Sequence, residues 1–92
     1  MYTFREFHIS DDMMDGIERY VKDGIPPGSF LTAVICNDLR EAVGNADDNN
    51  IGNIPAFVAY FYNKTPANCW GSDEMMESWI IAKRQEREER NQ

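Results

Sequence analysis

Gly28 and Ser29 form the stretch of this chain whose residue types best suit a bound ligand. They follow Pro26 and Pro27, which cannot continue a preceding helix, so the sequence predicts that Ser29 caps a new one. The free N–H groups of such a first turn, a glycine that permits close approach and a hydroxyl group together suit a phosphate or a carboxylate. Because any capped helix offers most of these groups, simple capping is the commoner role of such a serine.

Asp38 is the second residue of chemical interest. The apolar spacing predicts one helix over residues 29–43, ended by Gly44 in the left-handed conformation. At about 100° per residue, Asp38 falls inside the apolar arc of that helix, where an isolated carboxylate is costly. A structural interpretation has Asp38 capping a neighbouring helix or accepting from the indole N–H of Trp70 or Trp79. A functional interpretation places it in a ligand cleft. The other members of the arc are Phe30, Leu31, Val34, Ile35, Leu39 and Ala42.

Three further side chains extend the candidate ligand site if the fold brings them to the start of this helix. Asn37 would supply hydrogen bonds, and the rings of Tyr62 and Trp70 would stack on a base, which together would make a nucleotide-sized pocket. The candidate ligand-binding residues are therefore Gly28, Ser29, Asn37, Asp38, Tyr62 and Trp70.

Catalytic and metal-binding patterns are weak in this sequence. His8 is the only histidine, so a Ser–His or Cys–His pair would depend on one residue near the N-terminus. Neither Cys36 nor Cys69 has another cysteine or a histidine at metal-ligand spacing. We therefore expect no catalytic residues, no metal and no cofactor, and we expect both thiols to stay reduced in the cytosol.

The charge of the chain indicates what kind of partner it could bind. The formal net charge is −7, and residues 1–50 carry ten acids against four bases. Such a field repels phosphate backbones, which argues against direct nucleic-acid binding and favours a protein with a basic surface. The candidate partner-binding residues are Asp11, Asp12, Asp15 and Glu18. With no apolar run of about 20 residues, no membrane span is expected.

The elements that position these residues are predicted to be an all-α bundle of about four helices in a single domain, residues 1–92. Residues 1–9 are an N-terminal arm or a short edge strand. Ser10 caps the first helix and Gly24 ends it, the second covers residues 29–43, and a third is capped near Asn53 with Pro55 in its first turn. Residues 46–52 form a separate turn, although a longer kinked helix or a buried strand over residues 56–62 are alternatives. Ser72 caps the last helix, which ends in a polar helical tail, residues 83–92.

Three segments resemble a group of small proteins encoded by tailed bacteriophages and prophages. They are residues 26–34 (PPGSFLTAV), 37–42 (NDLREA) and 62–72 (YNKTPANCWGS). The resemblance covers roughly residues 15–80 and implies a phage accessory protein acting in the host bacterial cytoplasm. By analogy with that class, we expect a non-enzymatic protein that binds and inhibits or redirects a host protein, such as a defence component. The alternative is an oligomer that sequesters a phosphate-bearing nucleotide signal, and an enzyme of unknown type is third.

Overall fold

A computed structural model of the protein describes residues 1–90. Over this range the chain forms a two-stranded hairpin, six α-helices and one 3-10 turn. The elements are β1 (Tyr2–Phe4), β2 (Phe7–Ile9), α1 (Asp11–Asp23), α2 (Ser29–Ile35), α3 (Leu39–Asn45), α4 (Asp48–Ile51), α5 (Ile54–Lys64), the 3-10 turn (Ala67–Cys69) and α6 (Asp73–Arg90). The mostly helical class is confirmed, whereas the expected number of about four helices is too low. The predicted helical tail continues to Arg90, and residues 91–92 lie outside the described range.

The N-terminal segment, for which the sequence left open an arm or a short edge strand, is a hairpin of two short strands. The two strands pair antiparallel with Tyr2 opposite Ile9 and Phe4 opposite Phe7. Arg5 takes a φ of 55° in the connecting turn. Both strands pack against α5, and the Ile9 side chain is fully buried.

Helix α1 begins and ends where the sequence predicts. The Ser10 hydroxyl accepts a hydrogen bond from the N–H of Met13, and Gly24 has a φ of 69° at the C-terminal end. A Cβ at position 24 would lie 2.5 Å from Cβ of Lys83. Gly24 is therefore required both for the left-handed turn and for the close approach of α1 to α6.

The single helix predicted over residues 29–43 is wrong, because the chain breaks it after Ile35. Asn37 has a φ of 60°, and its N–H donates to the carbonyl oxygen of Val34 at 3.1 Å. The N–H of Asp38 donates to the carbonyl oxygen of Ala33 at 2.8 Å. These two bonds form the Schellman motif that ends a helix, with asparagine in the left-handed position that glycine usually takes. The carboxylate of Asp38 then starts α3 by accepting from the N–H of Glu41 at 3.1 Å.

The outer ends of this region also differ from the prediction. Gly28, not Ser29, is the N-cap of α2, and no side chain caps that terminus. Gly44 lies inside α3, which continues to Asn45. The Asn45 side-chain amide donates to the carbonyl oxygen of Glu41 at 2.9 Å, one turn back along α3.

The predicted start of α5 is confirmed, but the role of Asn53 is different. Asn53 occupies the N-cap position, with Pro55 in the first turn, yet its side chain makes no capping bond. Its Oδ1 accepts from the N–H of His8 at 2.9 Å, and its Nδ2 donates to the carbonyl oxygen of Asn49 at 2.7 Å. This buried amide therefore ties the hairpin to the turn between α4 and α5. The strand alternative for residues 56–62 is wrong, and the predicted turn over residues 46–52 contains the short helix α4.

Helix α5 supplies the centre of the core. The side chains of Phe57 and Phe61 are fully buried. Phe57 meets the ring of Phe30 edge-on at 5.0 Å between centroids, and Phe61 lies 5.7 Å from the ring of Trp70. Helix α6 packs against α1 and the 3-10 turn. None of the described helices combines the length and the apolar character needed to cross a bilayer.

Candidate functional site

Asp38 is an exposed capping residue and not a buried one. The break after Ile35 turns its side chain out of the arc that a continuous helix would have buried, and the residue is exposed. The structural interpretation from the sequence was that Asp38 caps a neighbouring helix. Asp38 does cap a helix, and that helix is α3, which follows it in the chain. The indole N–H of Trp79 instead donates to the carbonyl oxygens of Tyr20 and Val21, both at 3.2 Å. Asp38 lies between two surface grooves and lines both.

The first groove contains Gly28 and Ser29. It is open to solvent, and three carboxylates line it, those of Asp38, Glu41 and Asp73. Among residues 1–90, no lysine or arginine belongs to its lining. A phosphate would meet like charges here without a neutralising cation, and α2 is only seven residues long. The groove is therefore electrostatically unsuited to the nucleotide signal considered from the sequence. Its remaining lining residues are Pro27, Thr32, Ala33, Cys36 and Asn45.

Cys36 lines the same groove, half-buried, with a protonated thiol. Burial, followed by the hydrogen bond and charge of Asp73, raises the pKa of the Cys36 thiol to about 12. Its Sγ lies 3.5 Å from Sδ of Met76. Since the thiolate is the nucleophilic form, this raised pKa lowers the reactivity of Cys36 at neutral pH. Cys36 and Cys69 are both free.

The second groove lies between α3 and α5. It is shallow, with a volume of about 40 Å³, and is lined mainly by apolar side chains. Asn37 and Trp70 belong to it together with Asp38, whereas Tyr62 is 78% exposed on α5 and lines neither groove. The six candidate ligand-binding residues therefore do not share one surface: Gly28 and Ser29 line the first groove, and Asn37 and Trp70 line the second. The apolar lining consists of Ala33, Val34, Leu39, Ala42, Ile54, Val58 and Trp70.

Large apolar side chains stand exposed around the second groove, and the sequence prediction missed them. Leu39 is 68% exposed and Val43 47%, one turn apart on α3. Val58 is 44% exposed, one turn before Tyr62 on α5. The Asn37-Asp38 pair was the signal available in the sequence, because asparagine tolerates the left-handed conformation and aspartate caps helices. A break placed there would have moved Leu39 off the buried arc.

Most of the acidic candidate partner-binding residues lie on a third surface, along α1. Asp11, Asp15 and Glu18 recur at helical spacing and line one concave surface. Asp12 is exposed but does not line it. The amino group of Met1 lies 2.9 Å from the carboxylate of Asp11, an exposed pair that contributes little stability. Within residues 1–90, no lysine or arginine forms an ion pair with the other carboxylates of this face.

Two tyrosines stand beside these carboxylates. The rings of Tyr2 and Tyr60 meet edge-on at 5.1 Å between centroids, and both line the concave surface. Burial, followed by the negative charge of Glu18, raises the pKa of Tyr60. Lys64 is the one basic side chain that borders this surface in the described part of the chain. The arrangement combines aromatic rings with carboxylates, of which Asp15 and Glu18 form no ion pair within residues 1–90, and both kinds of group attract cationic side chains.

No cluster of three or more histidine, cysteine, aspartate or glutamate residues within the described range is arranged to hold a metal ion. The chain was also compared with known proteins. No protein-family model, curated protein or solved structure matches it.

Proposed function

We propose that this protein is a non-enzymatic accessory protein of a tailed bacteriophage or prophage that binds a host protein through the acidic face of α1. The partner carries a basic surface, and binding inhibits or redirects it in the host bacterial cytoplasm. The observation that supports this proposal is the placement of Asp11, Asp15 and Glu18 beside the Tyr2 and Tyr60 rings.

The chemistry of this face favours a lysine or arginine from a partner. Three carboxylates on one side of a helix create a negative field, and the net charge of −7 extends it over the molecule. Tyrosine is enriched at protein interfaces because a ring adds large contact area at a low entropic cost. A basic side chain placed over one of these rings, beside the carboxylates, would gain cation–π and charge-assisted contacts together.

Proteins that have a nucleic-acid-binding surface are one class of partner that fits. Such surfaces are basic, so an acidic protein can cover them, while the same charge keeps this chain away from nucleic acid itself. The resemblance to phage accessory proteins supports a host target, including a defence component. Nucleotide sequestration has weaker support, because the Gly28–Ser29 groove is lined by carboxylates without a cation.

The test is affinity capture with charge-matched variants. One variant carries Asp11→Asn, Asp15→Asn and Glu18→Gln, and its control carries Glu77→Gln, Glu88→Gln and Glu89→Gln on α6. Each removes three negative charges from exposed positions, so the two have the same net charge but differ in the face that is neutralised.

Each protein is immobilised and exposed to a bacterial lysate, and the captured proteins are identified by mass spectrometry. We expect a protein with a basic surface to be retained by the wild type and by the α6 control but lost from the α1 variant. Its association rate should fall as salt rises, because exposed charges are screened within about 8 Å at physiological ionic strength. Equal capture by both variants, or binding that ignores salt, would contradict the proposal.

A further inference from the structure

The groove between α3 and α5 is an apolar surface that the acidic face does not use. Five of the seven exposed large apolar side chains lie on α3, α4 and α5, and two of them, Leu39 and Val58, line the groove itself. Trp70 lies half-buried in its lining and packs against Phe61 in the core. Exposed apolar area concentrated in this way, in so small a domain, is typical of a contact surface.

The volume of the groove limits what it can hold. Its volume is about 40 Å³, far below that of a small-molecule pocket, and it is open to solvent. It is therefore a shallow apolar surface, and a partner would lie across it. Val43 and Tyr62 follow Leu39 and Val58 by one turn on α3 and α5 and are also exposed, so each helix offers a pair of apolar side chains to an amphipathic segment.

The charges at the groove define the rest of the partner. Among the described residues, Asp38 is the only charged one in its lining, and its Oδ1 accepts from the N–H of Glu41. Because an ionised carboxylate has two oxygens that each accept hydrogen bonds, Asp38 retains the capacity to accept from a cation. Arg40 lies about 100° around α3 from Leu39 and does not line the groove. The complementary segment is thus apolar on one side with a lysine or arginine beside its apolar residues.

A second copy of this chain fits less well. In a two-fold symmetric pair the same patch meets itself, so the Asp38 carboxylates of both copies would enter one interface without a cation from either groove. Each copy also carries a net charge of −7, which adds a general repulsion. Charge complementarity therefore favours a basic partner over self-association.

We infer that the α3–α5 groove is a second docking surface that binds an apolar, basic amphipathic segment of a partner protein, with Leu39 and Val58 as its walls and Asp38 as its charge contact. This inference rests on the proposal that the protein acts by binding another protein. It concerns a different surface, so the two can fail separately.

The probe is a short synthetic peptide of leucine and lysine whose helix has one apolar and one basic face. Two matched peptides separate the contribution of charge from that of apolar contact. One replaces lysine with glutamate, and the other replaces leucine with serine. Binding is located by two-dimensional NMR of the protein labelled with ¹⁵N. The indole N–H signals give an internal control, because Trp70 lines the groove while the N–H of Trp79 is bonded to α1. Trp70→Phe assigns the two signals.

We expect the leucine–lysine peptide to shift the Trp70 signal and the amide signals of α3 and α5, with the Trp79 indole unchanged. The other two peptides should leave the Trp70 signal in place. Leu39→Glu and Val58→Glu should each weaken binding by about tenfold or more, as loss of an interface anchor does. Ile81→Glu is the matched control, since Ile81 is 48% exposed on α6 and lies outside the groove. It should bind as the wild type does.

Three results would overturn the inference. Shifts confined to α1, abolished by the α1 charge variant, would place the peptide on the acidic face and leave the first proposal standing. Equal weakening by Leu39→Glu and Ile81→Glu would remove the groove as the site. A wild-type dimer that Leu39→Glu converts to a monomer would show that a second copy occupies the groove. Before binding is compared, the amide spectrum of each variant is recorded and must match that of the wild type outside the substituted position, which shows that the variant folds.

Discussion

The hydroxyl of Tyr20 donates a 2.6 Å hydrogen bond to the carbonyl oxygen of Cys69, and both residues are fully buried. This bond joins α1 to the 3-10 turn across 49 positions of sequence. Burial, followed by the charge of Cys69, raises the pKa of Tyr20, so the hydroxyl remains a donor at every physiological pH. It fixes the turn that precedes Trp70, and hence one wall of the α3–α5 groove.

Removing this hydroxyl should destabilise the fold. Tyr20→Phe leaves a buried carbonyl oxygen without its partner, which costs about 1–3 kcal/mol. Urea unfolding, followed by circular dichroism, measures the change. Tyr62→Phe is the control: its ring is 78% exposed, and the free energy of unfolding should stay within about 0.5 kcal/mol of wild type. Equal stability of the two variants would show that the Tyr20 bond contributes nothing.

Asp38 should behave as a helix cap. Asp38→Ala removes the acceptor for the Glu41 N–H and should cost about 1 kcal/mol, whereas asparagine caps nearly as well and should cost only a few tenths. Thermal unfolding at neutral pH distinguishes the two. A large loss with asparagine would indicate that the charge, rather than the cap, is what stabilises this position.

The left-handed backbone conformation at position 37 should limit which residue types are tolerated there. Its φ of 60° suits glycine, so Asn37→Gly should be neutral or stabilising, while a β-branched Asn37→Val should cost about 1–2 kcal/mol. Both substitutions remove the same exposed amide, so the difference between their free energies of unfolding measures the cost of the left-handed backbone conformation. If valine were tolerated as well as glycine in urea unfolding, the break between α2 and α3 would not be left-handed in solution.

Stability should decline at alkaline pH. The pKa of Cys36 is raised from 9.0 to about 12, so above pH 9 the unfolded chain releases a thiol proton that the native protein keeps. The stabilisation is complete below pH 9 and is lost as the pH rises towards 12. Burial raises the pKa of Cys69 as well, with the same sign. The free energy of unfolding, measured in urea from pH 8 to pH 10.5, should therefore fall with pH. The slope should be smaller in Cys36→Ala.

The same shift governs the chemistry of the thiols. Alkylation of Cys36 by iodoacetamide at pH 8 should be much slower than that of free cysteine, because little thiolate is present. The rate should rise with pH up to about 12. Cys69 is fully buried and should react only after unfolding. Rapid labelling of native protein at either position, read by mass spectrometry, would contradict this account.

The sequence by itself determined the elements whose signals are local. Ser10 and Gly24 mark the two ends of α1, and Pro55 lies in the first turn of α5. Ser72 Oγ accepts from the N–H of Met75 at the start of α6. Each signal acts on backbone groups within a few residues, so its effect does not depend on what packs nearby.

The tertiary structure decided which faces are buried and which residues meet. Asn37 and Asp38 fit both a continuous helix and a break, and packing of α2 and α3 as separate helices selects the break. That choice exposes Leu39 and Asp38, separates Gly28 from Trp70 and creates the apolar groove. The approach of β1 to α5, which places Tyr2 beside Tyr60, depends on contacts between residues 58 positions apart. Periodicity within one helix cannot specify such contacts, because they are set by how the helices share the limited apolar surface of a small core.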